Sequence, residues 1–203
     1  MKNLVVTIFA VAALTACKKN DQTPPAQSAE STAMSSPADS GMTVSDSSKV
    51  SDPKDQKTAL SDQDKKFADA AAVGGMMEVM MGKLAETNAE NAVVKSLGTM
   101  MVTDHTKAND ELKSWASANG YTLPASLDAE KQKMYDDLKA KKGKDFDKKY
   151  TDLMVSDHKE DVEAFKKEAA EGSEASLKSF ASKTLPTLEH HLKESEKAKN
   201  AVK

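Results

Sequence analysis

The sequence predicts an all-α protein: four long amphipathic helices with one short helix between the second and third. Three observations carry this. Apolar residues recur every three to four positions from Ser61 onward. Gly120, Pro124, Gly143 and Gly172 fall where that periodicity breaks, as helix ends require. No stretch alternates β-branched residues as a strand would.

The elements follow in order. Ser61 is the expected N-cap of the first helix, with Asp64 three residues on as its acidic partner. That helix runs over about 62–87 with the stripe Phe67, Ala70, Ala71, Gly74, Met77, Met81 and Leu84. Asn88 is the expected cap of a second helix over about 89–119, with Val93, Leu97, Met101, Ala108, Leu112 and Trp115 in line. Ser126 opens a shorter helix carrying Leu127, Met134 and Leu138 and ending near Gly143. The third long helix spans about 145–171 with Phe146, Tyr150, Met154, Val162, Phe165 and Ala169. Ser173 is the expected cap of the last, which reaches about 199 with Leu177, Phe180, Leu188 and Leu192. Pro186 lies inside it, removes the bond to the Ser182 carbonyl and is expected to kink it.

Short loops after the first and third long helices force antiparallel neighbours, and about 25 residues between the second and third are enough to cross the length of a bundle. Hairpin, long crossover, hairpin is the connectivity of ferritin-like bundles. Met100-Met101-Val102-Thr103-Asp104-His105 also parallels Leu153-Met154-Val155-Ser156-Asp157-His158. Duplication of a hairpin and chance likeness of two amphipathic helices both account for it, and the segments fall on helices that are not equivalent members of two hairpins.

The N-terminal 60 residues differ. Lys2 precedes an apolar stretch from Leu4 to Leu14, too short to span a bilayer but suited to a signal peptide. Leu14-Thr15-Ala16-Cys17 resembles a bacterial lipobox and holds the only cysteine of the chain. The expectation is a signal peptide over 1–16, lipidation (diacylglycerol and palmitate-type acyl chains) at Cys17, and membrane lipid as partner. Lys18, where an inner-membrane retention signal has aspartate, favours an outer-membrane lipoprotein facing the periplasm or cell surface of a bacterial envelope. Residues 17–60 are rich in Ser, Ala, Asp, Gln and Pro, with no aromatic residue between Phe9 and Phe67. They read as a disordered tether reaching about 35–40 Å, ahead of a bundle domain over 61–200.

Composition excludes several classes. The net charge is -3, from 29 basic and 32 acidic residues, and every basic residue is lysine. Without arginine forks or a basic excess, nucleic-acid binding is not expected. A single cysteine excludes an internal disulfide, a cysteine zinc site and an iron–sulfur cluster. Neither a nucleophile elbow nor a glycine-rich phosphate loop occurs.

One set of motifs resembles a known family. Met101-Val102-x-Asp104-His105-x-x-Ala108-Asn109-x-x-Leu112 is followed by Leu123-Pro124, Phe146-Asp147-x-x-Tyr150, Met154-Val155-x-x-His158, Thr184-Leu185-Pro186 and His191-Leu192. Together, over about residues 61–199, they resemble the bacterial domain of unknown function 4142 family, grouped with ferritin-like bundles and labelled as outer-membrane or secreted proteins. The resemblance implies fold and compartment and no chemistry.

The candidate chemistry lies on the apolar stripes. His105 is four after Met101, His158 four after Met154 and His191 three after Leu188, whereas His190 is one step off and expected outward. Glu78 sits beside Met77. Each long helix thus offers one metal-capable side chain to the interior, and a Glu/His₃ cluster suits iron, zinc or copper. Against this, no Glu-x-x-His motif occurs, and counting from a turn at Asn88 sets Glu78 and His105 at levels roughly 10 Å apart. Pairing with nearby Asp104, Asp157, Glu189 or Asn109 is a purely structural alternative, and acid/base catalysis a third. Met77, Met81 and Met101 form a thioether set suited to Cu(I), or equally ordinary core. The sequence therefore points to a lipid-anchored envelope protein, more a non-enzymatic binding or stress-protection bundle than an enzyme. The alternative is a protein holding a divalent metal on Glu78, His105, His158 and His191. It names no protein partner.

Overall fold

The computed structural model describes residues 60–203. The expected signal peptide over 1–16, the expected lipidation site Cys17 and the expected tether up to residue 59 lie outside the described residues. Five helices form: α1 (Asp62–Asn88), α2 (Ala92–Asn119), α3 (Ala129–Lys139), α4 (Gly143–Glu171) and α5 (Ala175–Ala201). The described residues contain no strand, and none of their helices is long and apolar enough to cross a membrane.

Ser61 caps α1 as expected: its Oγ accepts from the Asp64 backbone N–H, and Asp64 accepts from the Ser61 N–H. Gly120 ends α2 in the left-handed region, at φ 64°. Other caps shift by a few residues. Asn91, not Asn88, caps α2, because Asn88 donates instead to the Lys139 and Lys141 carbonyls of the crossover. Asp128 replaces Ser126 at the start of α3, and Glu174 replaces Ser173 at the start of α5. Gly143 opens α4 with φ 58° and does not close the short helix, which already ends at Lys139. α5 runs unbroken through Pro186, whose ring is exposed. Val93 is 37 % exposed and Val94 takes its place in the core; on α1, Ala70 faces solvent while Ala68 and Ala72 are buried.

α1 packs on α2 and α4, and α5 on α2 and α4. At one end, Trp115 of α2 donates to Glu174 before α5, and Tyr121 donates to Asp69 of α1. At the other, the Glu90 and Asn91 N–H groups between α1 and α2 donate to Asp147 of α4, and the Asn91 side chain donates to the Ala201 carbonyl. So α2 and α4 run in the same direction on a diagonal, and residues 120–142 traverse the bundle with α3 laid on α1 and α4. The α1–α2 approach is close: a Cβ on Gly98 would lie 2.6 Å from the Ala85 Cβ and 2.8 Å from the Gly82 carbonyl oxygen.

The interior is two apolar clusters. One gathers Met77, Met81, Leu97, Met101, Phe146 and Met154, the other Phe67, Leu112, Trp115, Phe165, Phe180 and Leu188. On α2, α4 and α5 a histidine falls in sequence between the residues given to each cluster, and on α1 Glu78 follows Met77. The core is therefore interrupted midway by a polar layer.

Candidate metal centre

Glu78, His105, His158 and His191 are all buried, one from each long helix, and they meet. The His105 Nδ1 is 2.9 Å from Glu78 Oε2 and the His158 Nε2 is 3.4 Å from Glu78 Oε1. The His158 Nε2 is 3.3 Å from the His191 Nδ1. One ring nitrogen from each histidine lies within 4.8 Å of the others. The expected 10 Å offset between Glu78 and His105 is overturned. The turn spans residues 89–91, so Glu78 is ten residues from the end of α1 and His105 thirteen from the start of α2, a difference of about 5 Å. Each side chain also leans towards the N-terminus of its own helix, which brings the two tips together in an antiparallel pair.

The hydrogen bonds fix which ring nitrogens are bare. The His158 Nδ1 is 3.0 Å from the Met154 carbonyl oxygen. A carbonyl only accepts, so this nitrogen carries the proton and Nε2 does not. The His191 Nε2 donates to the Asp104 carboxylate at 2.9 Å, which leaves Nδ1 bare in the neutral ring. With Glu78 ionised, the form a bound cation would favour, the His105 Nδ1 donates to it; the His105 Nε2 is buried with no partner. Glu78 Oε1 is likewise without a hydrogen-bond donor. The layer is rich in acceptors and short of donors: two bare imidazole nitrogens face each other at 3.3 Å. Buried networks normally close, so this one is a cation or a proton short. Donor atoms about 3.4 Å apart are what tetrahedral ligation at 2.0–2.1 Å demands. The residues fit a metal bound by nitrogen with one carboxylate.

Burial holds the rings neutral. It lowers the pKa of His105, pushes that of His158 well below its usual value, aided by His105 and His191, and brings His191 down to about 4 against the opposing pull of Asp104. Burial, then the charge of Asp157, raises Glu78 well above the carboxylate range. Neutral imidazole is the ligating form, so the histidines need no deprotonation near neutral pH.

The weaker candidates separate. Asp104 belongs to the layer, but through His191 across the α2–α5 interface and not through its chain neighbour His105. It orients the ring as carboxylate partners of ligating histidines do. Asp157 touches no histidine; its Oδ1 is 3.7 Å from Lys131 of α3, while a carboxylate oxygen of it gathers with ones from Glu78 and Asp161 within 4.8 Å. Glu189 pairs with Lys166 and His190 is exposed as expected. Met77, Met81 and Met101 lie in the apolar cluster with Phe146 and Tyr150. Sequence reasoning missed Asp161, although it stands three after His158 and seven after Met154 on the α4 stripe. Beside Pro186, Thr184 and Thr187 line a solvent-open depression of about 250 Å³ that reaches Asp104.

Among solved structures, the chain resembles CopM in the Cu(II)-bound form, with TM-score 0.58 and 16% identity over 68% of this chain and 96% of that one. It resembles a DUF305 fragment from Deinococcus radiodurans with TM-score 0.61 and 11% identity over 70% and 98%. CopM in the Ag-bound form gives TM-score 0.54 and 17% identity over 66% and 93%. At these identities the likeness is one of fold. No curated protein matches the chain. The family model described as "Domain of unknown function (DUF4142)" matches residues 49–198, and the chain belongs to that family.

Proposed function

We propose that this chain is a metal-binding helical bundle. A single borderline dication, zinc or copper in the first place and iron next, is held by the bare nitrogens of His105, His158 and His191 with Glu78 beside them. The supporting observation is the donor-poor buried layer, in which His105 Nε2 and Glu78 Oε1 have no partner and two bare ring nitrogens face one another. Asp104 and the Met154 carbonyl fix the rings from outside. The copper- and silver-bound CopM structures share the fold and make copper a natural first metal to try. We read the connectivity as ferritin-like, with a Glu/His₃ set in place of paired Glu-x-x-His motifs. We also read the chain as an outer-membrane lipoprotein, acylated at Cys17 and tethered by residues 17–60. Its task is then binding or sequestration of metal in the envelope rather than turnover.

Metal analysis of the purified chain after loading with copper, zinc or iron tests the reading. About one tightly held equivalent is expected, lost on His105→Ala or His158→Ala. A chain that retains none of the three metals after dialysis contradicts it.

A further inference from the structure

Glu78 belongs to two clusters. Its two oxygens meet His105 and His158, and one of them also lies within 4.8 Å of a carboxylate oxygen from each of Asp157 and Asp161. The two sets differ in chemistry, one nitrogen-rich and one all oxygen. We infer that the bundle holds a second cation site, adjoining the first, in which the carboxylates of Glu78, Asp157 and Asp161 bind a hard divalent ion such as Mn²⁺. The inference deepens the proposed function by placing Glu78 between two ions.

Proximity of acidic groups alone would not carry this. The orphaned atoms do. Glu78 is 1 % exposed, yet its Oε1 has no hydrogen-bond donor. The Asp157 side chain is 11 % exposed and divides its oxygens: Oδ1 faces Lys131, while Oδ2 is buried and unpartnered. Asp161 meets the Glu78 carboxyl in a side-chain hydrogen bond, a contact two carboxyls make only with a proton between them or a cation in its place. Crowded buried carboxyls persist either by holding a proton or by sharing a cation, and oxygen-only sets select hard ions. A route in is also present. Asp128, Glu130, Asp157 and Glu160 line an open depression of about 280 Å³ between α3 and α4, where Lys131 is the one basic residue. Its negative rim draws cations to the edge of the cluster.

The full chain, loaded with Zn²⁺ and then titrated with Mn²⁺, separates the two sites. The expected result is about one equivalent of each, with Mn²⁺ followed by its paramagnetic resonance signal. Asp157→Asn with Asp161→Asn should weaken Mn²⁺ binding about tenfold or more and leave zinc stoichiometry unchanged. Thermal melting of the metal-free double variant confirms folding, since neutralising crowded carboxylates does not unfold a core. If the wild-type chain takes zinc but no Mn²⁺, or the double variant takes Mn²⁺ as well as wild type, the second site is overturned and the histidine site stands. If Mn²⁺ binds and His158→Ala leaves zinc untouched, the histidine reading fails and the carboxylate site stands.

Discussion

Two buried carboxylates sit on α1, four turns apart, in opposite circumstances. Asp64, at the end of the bundle, accepts from the N–H and hydroxyl of Ser61, the N–H and hydroxyl of Ser173, and the Glu174 N–H. It ties the start of α1 to the α4–α5 turn. Burial alone would raise its pKa, but the bonds from Ser173 and Ser61 outweigh that and hold it well below the carboxylate range. Glu78, in the middle, meets one ring nitrogen and the Asp161 carboxyl, has no backbone or hydroxyl donor, and its pKa moves the other way. A fold that satisfies Asp64 so fully does not lack the means to satisfy Glu78. The difference separates a structural acid from one left open for a ligand.

The comparison breaks most visibly at Asp64. Asp64→Ala removes a buried anion and strands its donors, with an expected cost of about 3–5 kcal/mol in urea unfolding and no change in metal stoichiometry. His158→Ala has the reverse profile: metal affinity falls about a hundredfold or more, while the metal-free chain loses only about 1–2 kcal/mol. Next comes pH. Because the folded pKa of Asp64 lies below its unfolded value near 4, its contribution is complete above that value and is lost as pH falls through and below it. The stability gap between wild type and Asp64→Asn should therefore narrow from pH 5 to pH 3; a constant gap would show the carboxylate is not ionised in the fold.

Smaller effects sharpen the other side. Asp161→Asn in the metal-free chain should be neutral or stabilising by about 1–2 kcal/mol, since burial and the charges of Glu78 and Asp157 disfavour its ionised form. A loss of that size would mean Asp161 is structurally paired. Smallest is Tyr150→Phe: the hydroxyl is buried with no partner, so its removal should change stability by less than about 1 kcal/mol in chemical denaturation.

The architecture was legible because period 3.6 survives in every long helix and short loops allow few arrangements. Gly120 and the Ser61–Asp64 box were readable as caps because each acts through its own neighbours. Asn88 and Ser173 misled for the opposite reason: each bonds to a distant segment, the crossover carbonyls and Asp64, which no local pattern reveals. The four members of the polar layer were legible as interruptions of apolar stripes. Their pairing was not. A turn misplaced by three residues shifted Glu78 from His105 on paper, and Asp104 reaches across to His191 instead of its chain neighbour. Asp161 was hidden in the charged run Lys159-Glu160-Asp161, where it looks like solvent-facing helix.

A crystal structure of the zinc- or copper-loaded chain, with anomalous data collected at the metal edge, tests the central claim most directly. The account predicts an anomalous peak about 2.0–2.2 Å from one nitrogen of each of His105, His158 and His191, with Glu78 turned towards it. A loaded crystal with no peak between these rings, and with a proton-sharing or water-bridged histidine layer in its place, would contradict it.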